Sequence, residues 1–280
     1  MNRRIPLPIR LLATLLEALE LAARFLRRRI HEFRIGLLTE ALSDEERHLV
    51  SIDAYHDSLE PEKADHGLHD WEETWFAAEL PPAPATLLLA AAGSGREAVA
   101  LETLGYTVDV LEPASRPVRT CRQRLPETSR VVQADFTQLA ASVLEARHSP
   151  ASNLATGYDA VILGWGGLTH VLNLPDRLRL IQACHLLTPA GPILASFFMD
   201  PHAVSRQQAT PAVAAGCFLG RLIARARGLP AIREPVEFTT WGGFLRHFTP
   251  SEIDELADAS GRNVQWQREG GFPHVTFLVR

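Results

Sequence analysis

The sequence predicts an α/β fold: a seven-stranded, mostly parallel sheet with an antiparallel last strand, extended by an N-terminal helical region and a helical insertion. Three observations predict it. Continuous apolar runs such as Leu87 to Ala92 mark strands buried on both faces. From Thr86 to Phe198 such runs alternate with helical stretches, the order that lays a parallel sheet between two layers of helices. Two further strand-like runs end the chain across a short connection, which makes them antiparallel neighbours.

The elements follow in order. After Pro8, the residues Leu11, Leu15, Leu19, Ala22, Leu26, Ile30 and Phe33 recur at steps of three and four, the stripe of one long helix. Arg10, Glu17, Glu20 and Arg24 interrupt it, so it is no membrane span, and no small-residue cleavage site marks a signal peptide. The stripe is expected to pack on the body or on a second copy of the chain. The other reading sets Arg24, Arg27, Arg28, Arg29 and Arg34 against an anionic membrane surface. Ser43 to Glu46 is a capping box that starts a second helix running to about Ser58. A polar segment, Glu60 to Asp70, precedes a short helix at Trp71-Glu72, which Pro81, Pro82 and Pro84 end.

From there strands at 87–92, 107–111, 131–134, 158–164 and 192–198 alternate with helices at 96–104, 115–124, 137–147 and 175–187. Residues 201–235 break the alternation as a helical insertion. Thr249 to Glu252 caps a helix reaching Ser260, and strands at 263–268 and 275–279 close the fold. The domain expectation is a helical extension or lid over 1–80 and a sheet domain over 81–280.

Composition bounds the function. With 280 residues, 46% hydrophobic and 22% charged, the chain buries one large core. A net charge of −5 and a single lysine, Lys63, argue against a nucleic-acid coat. Cys121, Cys184 and Cys217 lack any CxxC spacing, which fits a reducing compartment and a cytoplasmic location and excludes a cysteine-based zinc site. Asp65, His66, His69 and Asp70 form the one cluster with metal-ligand types; a polar loop is the expected role, and no metal is assigned.

In such a sheet a ligand sits beyond the carboxyl ends of the strands, beside the first. There Gly93-Ser94-Gly95 opens a helix, and glycines let backbone amides approach an anion or carboxylate. Glu112 ends the second strand, where a carboxylate accepts from two ribose hydroxyls. Asp135 ends the third, placed for an adenine amino group, with Phe136 as an apolar wall. Each alone is weak: a tight turn wants glycine, and strand ends are often polar. Their joint register on three strands points to a nucleoside.

Residues 86–200 resemble the class I S-adenosylmethionine-dependent methyltransferases, a Rossmann-like family. Leu87 to Gly95 is similar to the family's first motif, Val108 to Pro113 to its ribose-binding strand end, and Val132 to Phe136 to its adenine-binding segment. Tyr158 to Gly164 resembles the strand beneath the methyl group, Leu187 to Pro192 the turn into the fifth strand, and the last hairpin the reversed seventh strand. The resemblance implies S-adenosyl-L-methionine as cofactor, held by Ala91, Gly93, Ser94, Gly95, Glu112, Pro113, Asp135, Phe136, Gly164 and Trp165. Two positions depart: Leu89 stands where the family commonly has an acid that helps hold the methionine amino group, and Ala91 where it has glycine. The competing readings are an NAD(P)-dependent oxidoreductase, since Gly93 to Ala98 also satisfies G-x-G-x-x-A, and a catalytically silent binding protein of the same fold.

The family implies a methyl acceptor above Gly164-Trp165-Gly166-Gly167, where Trp165 can stack on a planar substrate. The Asn/Asp-Pro-Pro-Tyr/Phe segment of nucleobase methylases is absent there, so the expected acceptor is an oxygen or nitrogen of a small molecule, with a peptide as the alternative. His170 is the expected general base, because imidazole titrates near working pH; His202 and His247 rank below it. Trp71 and Glu72 belong to helices that relatives fold across the donor pocket as a lid.

Overall fold

The computed structural model describes residues 7–58, 67–154, 156–200, 202, 205, 207, 210–230, 234, 236–267 and 271–280. Its contacts group the chain into two units, residues 1–43 with 204–233 and residues 44–203 with 234–280. The expected boundary near residue 80 differs: the first helix pairs with the insertion, while the second and third helices belong to the sheet unit.

In the sheet unit the helices are α2 (Asp44–Ser58), α3 (Asp70–Glu79), α4 (Arg96–Thr103), α5 (Ser115–Arg124), α6 (Phe136–Glu145), α7 (Leu174–Leu187) and α9 (Pro250–Ala259). Its main strands are β1 (Thr86–Ala90), β2 (Thr107–Leu111), β3 (Val131–Val132), β4 (Ala160–Leu163), β5 (Ile193–Ser196), β8 (Arg262–Gln267) and β9 (His274–Val279), between which β6 (Glu237–Thr239) and β7 (Gly243–Leu245) form a separate hairpin. The seven-stranded sheet runs β3-β2-β1-β4-β5-β9-β8. β9 lies antiparallel between β5 and β8, and the others are parallel, as the sequence predicts. Chain order reverses at β1, so the crevice beside its carboxyl end is the site the topology offers.

β1 shows why its residues are apolar without interruption. Leu87 and Leu89 pack toward α3, α4 and α5, among Trp75, Phe76, Leu101 and Cys121. Leu88 and Ala90 face the opposite layer with Leu139, Leu180, Ile181 and Leu256. All four are fully buried, and each leucine contributes roughly 2 kcal/mol of burial. Leu89 thus fills core volume where an acid would go uncompensated. β3 is shorter than predicted, two residues rather than four, and Asp135 beyond it caps α6. The β6–β7 hairpin lay beyond the sequence reading; Gly243, at φ +69°, turns the chain tightly against Ser51.

The other unit holds α1 (Leu7–Ala41) and α8 (Pro211–Ala226), the latter inside the predicted helical insertion. They run in the same direction with backbones in contact: a Cβ on Gly36 would lie 2.1 Å from the Val213 carbonyl oxygen, and one on Gly216 would lie 2.1 Å from that of Phe33. Only glycine allows that approach. Arg221 pairs with Glu40 and Arg227 donates to the Ala41 carbonyl, fastening the C-terminal ends. The apolar stripe of α1 from Leu12 to Ile30 is exposed in the single chain. Among the described residues no helix is long and apolar enough to cross a membrane.

Candidate functional site

The turn from β1 into α4 carries three left-handed residues, Ala91 at φ +60°, Gly93 at +53° and Gly95 at +81°. Ala91 holds this conformation without being glycine, at a cost of order 1 kcal/mol. Two contacts fix it: its amide donates to the Leu111 carbonyl at 2.8 Å, and Gly164 crosses so closely that a Cβ there would stand 2.5 Å from the Ala91 oxygen. Gly95 is the residue before α4, so the first amides of that helix point out of the turn. Ser94 sits half-buried at the tip.

Glu112 leaves β2 toward this turn. Its carboxylate accepts from Gly93 N–H and from Ala114 N–H, both at 2.9 Å. Burial pushes its pKa up to about 7 against the pull of those two amides, so the cradle contains a desolvated carboxyl group with capacity for further donors. Pro113 beside it accepts from Gln133 Nε2.

Asp135 is the N-cap of α6, accepting from Gln138 N–H at 2.8 Å, and its other oxygen stands 3.2 Å from His48 Nε2. Burial raises its pKa, but His48 and the α6 amides outweigh that and hold it below the usual range. Asp135 thus serves as a helix cap, a role the sequence reading did not give it. Phe136 follows, close enough that a Cβ on Gly167 would lie 3.7 Å from its ring. A cleft opens beside Asp135, lined by Ile52, Pro113, Arg122, Arg130, Gln138 and Asn153.

His170 ends a short 3-10 turn (Gly167–His170) after β4. Its Nε2 is 2.9 Å from the Tyr55 hydroxyl, with the rings edge to face. Burial, assisted by nearby His48, lowers its pKa to about 4, so the ring is neutral at neutral pH. This corrects the expectation of a group titrating near 6.5. Burial and the Glu112 charge hold the Tyr55 phenol well above its usual value.

His48, Ile52 and Tyr55 sit at i, i+4 and i+7 of α2, one helical face turned onto the site. That spacing was legible in the sequence and was not used. Glu97 was also missed. It is buried in the first turn of α4, accepts from Trp165 N–H at 3.1 Å, and is raised in pKa by burial and by neighbouring Glu72, against the charge of Arg96. Glu72, fully buried, holds Arg96 bidentately at 2.5 and 2.6 Å and accepts from His69 N–H, tying α3 to α4.

Trp165 is 39% exposed past the end of β4, beside Phe272 at 5.1 Å and Phe198 at 5.9 Å between ring centres. Trp241, 42% exposed, adjoins Phe198. Trp71 packs on His274, Trp75 and Phe272. His202 is exposed. His247 has both nitrogens occupied, Nδ1 accepting from Asp200 N–H and Nε2 facing Glu237 at 2.7 Å. Asp65 and His66 lie outside the described residues; among those described, no three His, Cys, Asp or Glu side chains gather to hold a metal.

No protein-family model matches this chain, and no curated protein matches it by sequence. Solved structures do. A methyltransferase from Bacteroides fragilis, described as S-adenosylmethionine-dependent and solved with S-adenosyl-L-homocysteine, is 15% identical with a TM-score of 0.50, over 87% of this chain and 96% of that one. The 1,6-didemethyltoxoflavin-N1-methyltransferase of Burkholderia thailandensis, solved with 1,6-didemethyltoxoflavin and S-adenosylhomocysteine, is 17% identical with a TM-score of 0.52, over 84% and 89%. The fold is that of the class I methyltransferases. In that fold the Ala91–Gly95 turn, Glu112 and Asp135 end three adjacent strands, β1, β2 and β3.

Proposed function

We propose that this chain transfers the methyl group of S-adenosyl-L-methionine to an oxygen or nitrogen of a small-molecule acceptor. The observation that carries the reading is the juxtaposition of Glu112 and Gly93 over the β1–α4 turn. A carboxyl group buried at a strand end, beside amides of a glycine turn, suits a ribose diol. Asp135 and Phe136 offer a polar and an apolar contact for the adenine. Bound there, the donor supplies an electrophilic methyl on a sulfonium.

The chain's own part is positioning. Trp165, Phe198, Trp241 and Phe272 present ring faces and edges for a planar acceptor. α2 and α3 act as the lid that excludes water. His170, neutral and oriented by Tyr55, takes the acceptor proton. Cys121, Cys184 and Cys217 are buried free thiols, in keeping with a reducing, cytoplasmic setting. One of the two neighbours is named as the N1-methyltransferase of 1,6-didemethyltoxoflavin, in keeping with a nitrogen acceptor. Incubation with methyl-labelled donor and a panel of planar phenols, amines and short peptides tests this: label on a phenol or amine supports it, and label on peptides alone would replace the acceptor class.

A further inference from the structure

α1 is an amphipathic rod about 50 Å long whose apolar side the fold leaves open. Leu12, Leu15, Leu16, Leu19, Leu26 and Ile30 are each more than half exposed. On a helix of 3.6 residues per turn they form one stripe, with Arg27 and Arg34 along one border and Arg29 along the other. Leu21 and Phe25 add exposed apolar surface on α1, and Phe218, Leu219 and Leu222 add it on α8. Isolated exposed leucines need no explanation, but a contiguous apolar face of this length marks an interaction surface.

Charge identifies the partner. Residues 1–43 and 204–233 carry thirteen arginines and four glutamates, a formal charge of +9 in a chain whose total is −5. The remaining residues therefore carry −14. So sharp a separation points to an anionic partner. A second copy would set +9 against +9. Nucleic acid supplies the negative charge but offers leucines nothing to bury against, since its recognition rests on cationic and aromatic side chains. An anionic lipid leaflet supplies both, phosphates for the bordering arginines and an acyl boundary for the stripe.

We propose that the α1–α8 pair is a peripheral docking surface for anionic membranes, with the Leu12–Ile30 stripe lying in the headgroup–acyl boundary. The backbone contact of Gly36 with α8 makes the pair a firm base for the projecting stripe. The inference is independent of the methyltransferase reading.

The test is co-sedimentation of the full chain with vesicles of phosphatidylcholine alone, and of phosphatidylcholine with one quarter phosphatidylglycerol. Pelleting at least about tenfold greater on the phosphatidylglycerol vesicles, weakened by high salt, is expected. The double variant Leu19→Glu/Leu26→Glu loses it with an unchanged melting temperature, because both side chains are exposed. Arg27→Gln/Arg29→Gln reduces it severalfold without touching the apolar stripe. Equal pelleting on both vesicle types, or none on either, overturns the proposal. So does a dimer by light scattering that Leu19→Glu/Leu26→Glu dissociates, or retention by double-stranded DNA that the same variant preserves.

Discussion

The Tyr55 hydroxyl and His170 Nε2 stand 2.9 Å apart, joining α2 to the turn after β4. Because that histidine is buried and its pKa lowered to about 4, its catalytic pH limb lies far below that of an exposed imidazole. The methylation rate is expected to stay level from pH 8 to about pH 5 as far as His170 governs it. His170→Ala should lower kcat by about 10²- to 10⁴-fold and leave donor affinity unchanged. A rate within about threefold of wild type would leave alignment and desolvation as the whole mechanism.

Stability should depend on pH in a direction set by the same buried groups. Glu112 is raised to about 7 and Glu97 is raised as well, so between the unfolded carboxyl value of 4.5 and those folded values the native state binds more protons than the unfolded chain. Their contribution is present at low pH and lost as pH rises through the folded values. His170 acts oppositely below 6.5, where the unfolded chain takes up a proton that the folded one refuses. The melting temperature is expected to rise as pH falls from 8.5 to 6.5, with Glu97 and Glu112 together contributing about 2 to 3 kcal/mol, and to rise less steeply below 6.5, where His170 opposes them. Glu112→Gln should remove the smaller part of that rise and leave the part that Glu97 supplies. A melting temperature that falls over this range would place Glu112 in water.

The helix pair gives an independent prediction. Val at Gly216 would drive a methyl-bearing carbon into the Phe33 carbonyl, so Gly216→Val must separate α1 from α8. Overpacking commonly costs about 1 to 3 kcal/mol, and backbone yields less readily than side chains. Limited proteolysis should cut α8 in this variant well before the sheet unit. Equal cleavage rates for wild type and variant would mean that the two helices do not rest on that contact.

The centre of the sheet was legible because β1, β4 and β5 are short runs dominated by apolar residues; Leu87 to Ala90 and Ile193 to Ser196 stand where they were read. The meeting of Glu112 with the Gly93 turn was legible for the same reason, since the ladder fixes the ends of adjacent strands. What sequence spacing does not give is long-range pairing. Nothing local says that Tyr55 meets His170 across 115 residues, or that Glu97, two positions past Gly95, reaches the Trp165 amide. The place of His170 three residues after Gly167 says nothing of its burial. The first helix was assigned a buried stripe because amphipathic helices usually have one. The periodicity marks the stripe from Leu12 to Ile30 but not its exposure.

At Glu112 the donor reading becomes quantitative. Glu112→Ala removes the carboxyl group that accepts from Gly93 and Ala114, and should weaken S-adenosylhomocysteine binding by about 1 to 3 kcal/mol in a chain that still folds. Unchanged affinity would remove Glu112 from the donor site.

Isothermal titration of the full chain with S-adenosyl-L-homocysteine, and separately with NAD and NADP, tests the central claim most directly. Saturable one-to-one binding of the sulfur nucleoside, with neither dinucleotide bound, is the expected result. Binding of NAD or NADP with no heat from S-adenosyl-L-homocysteine would contradict it and make the Gly93–Gly95 turn a dinucleotide site.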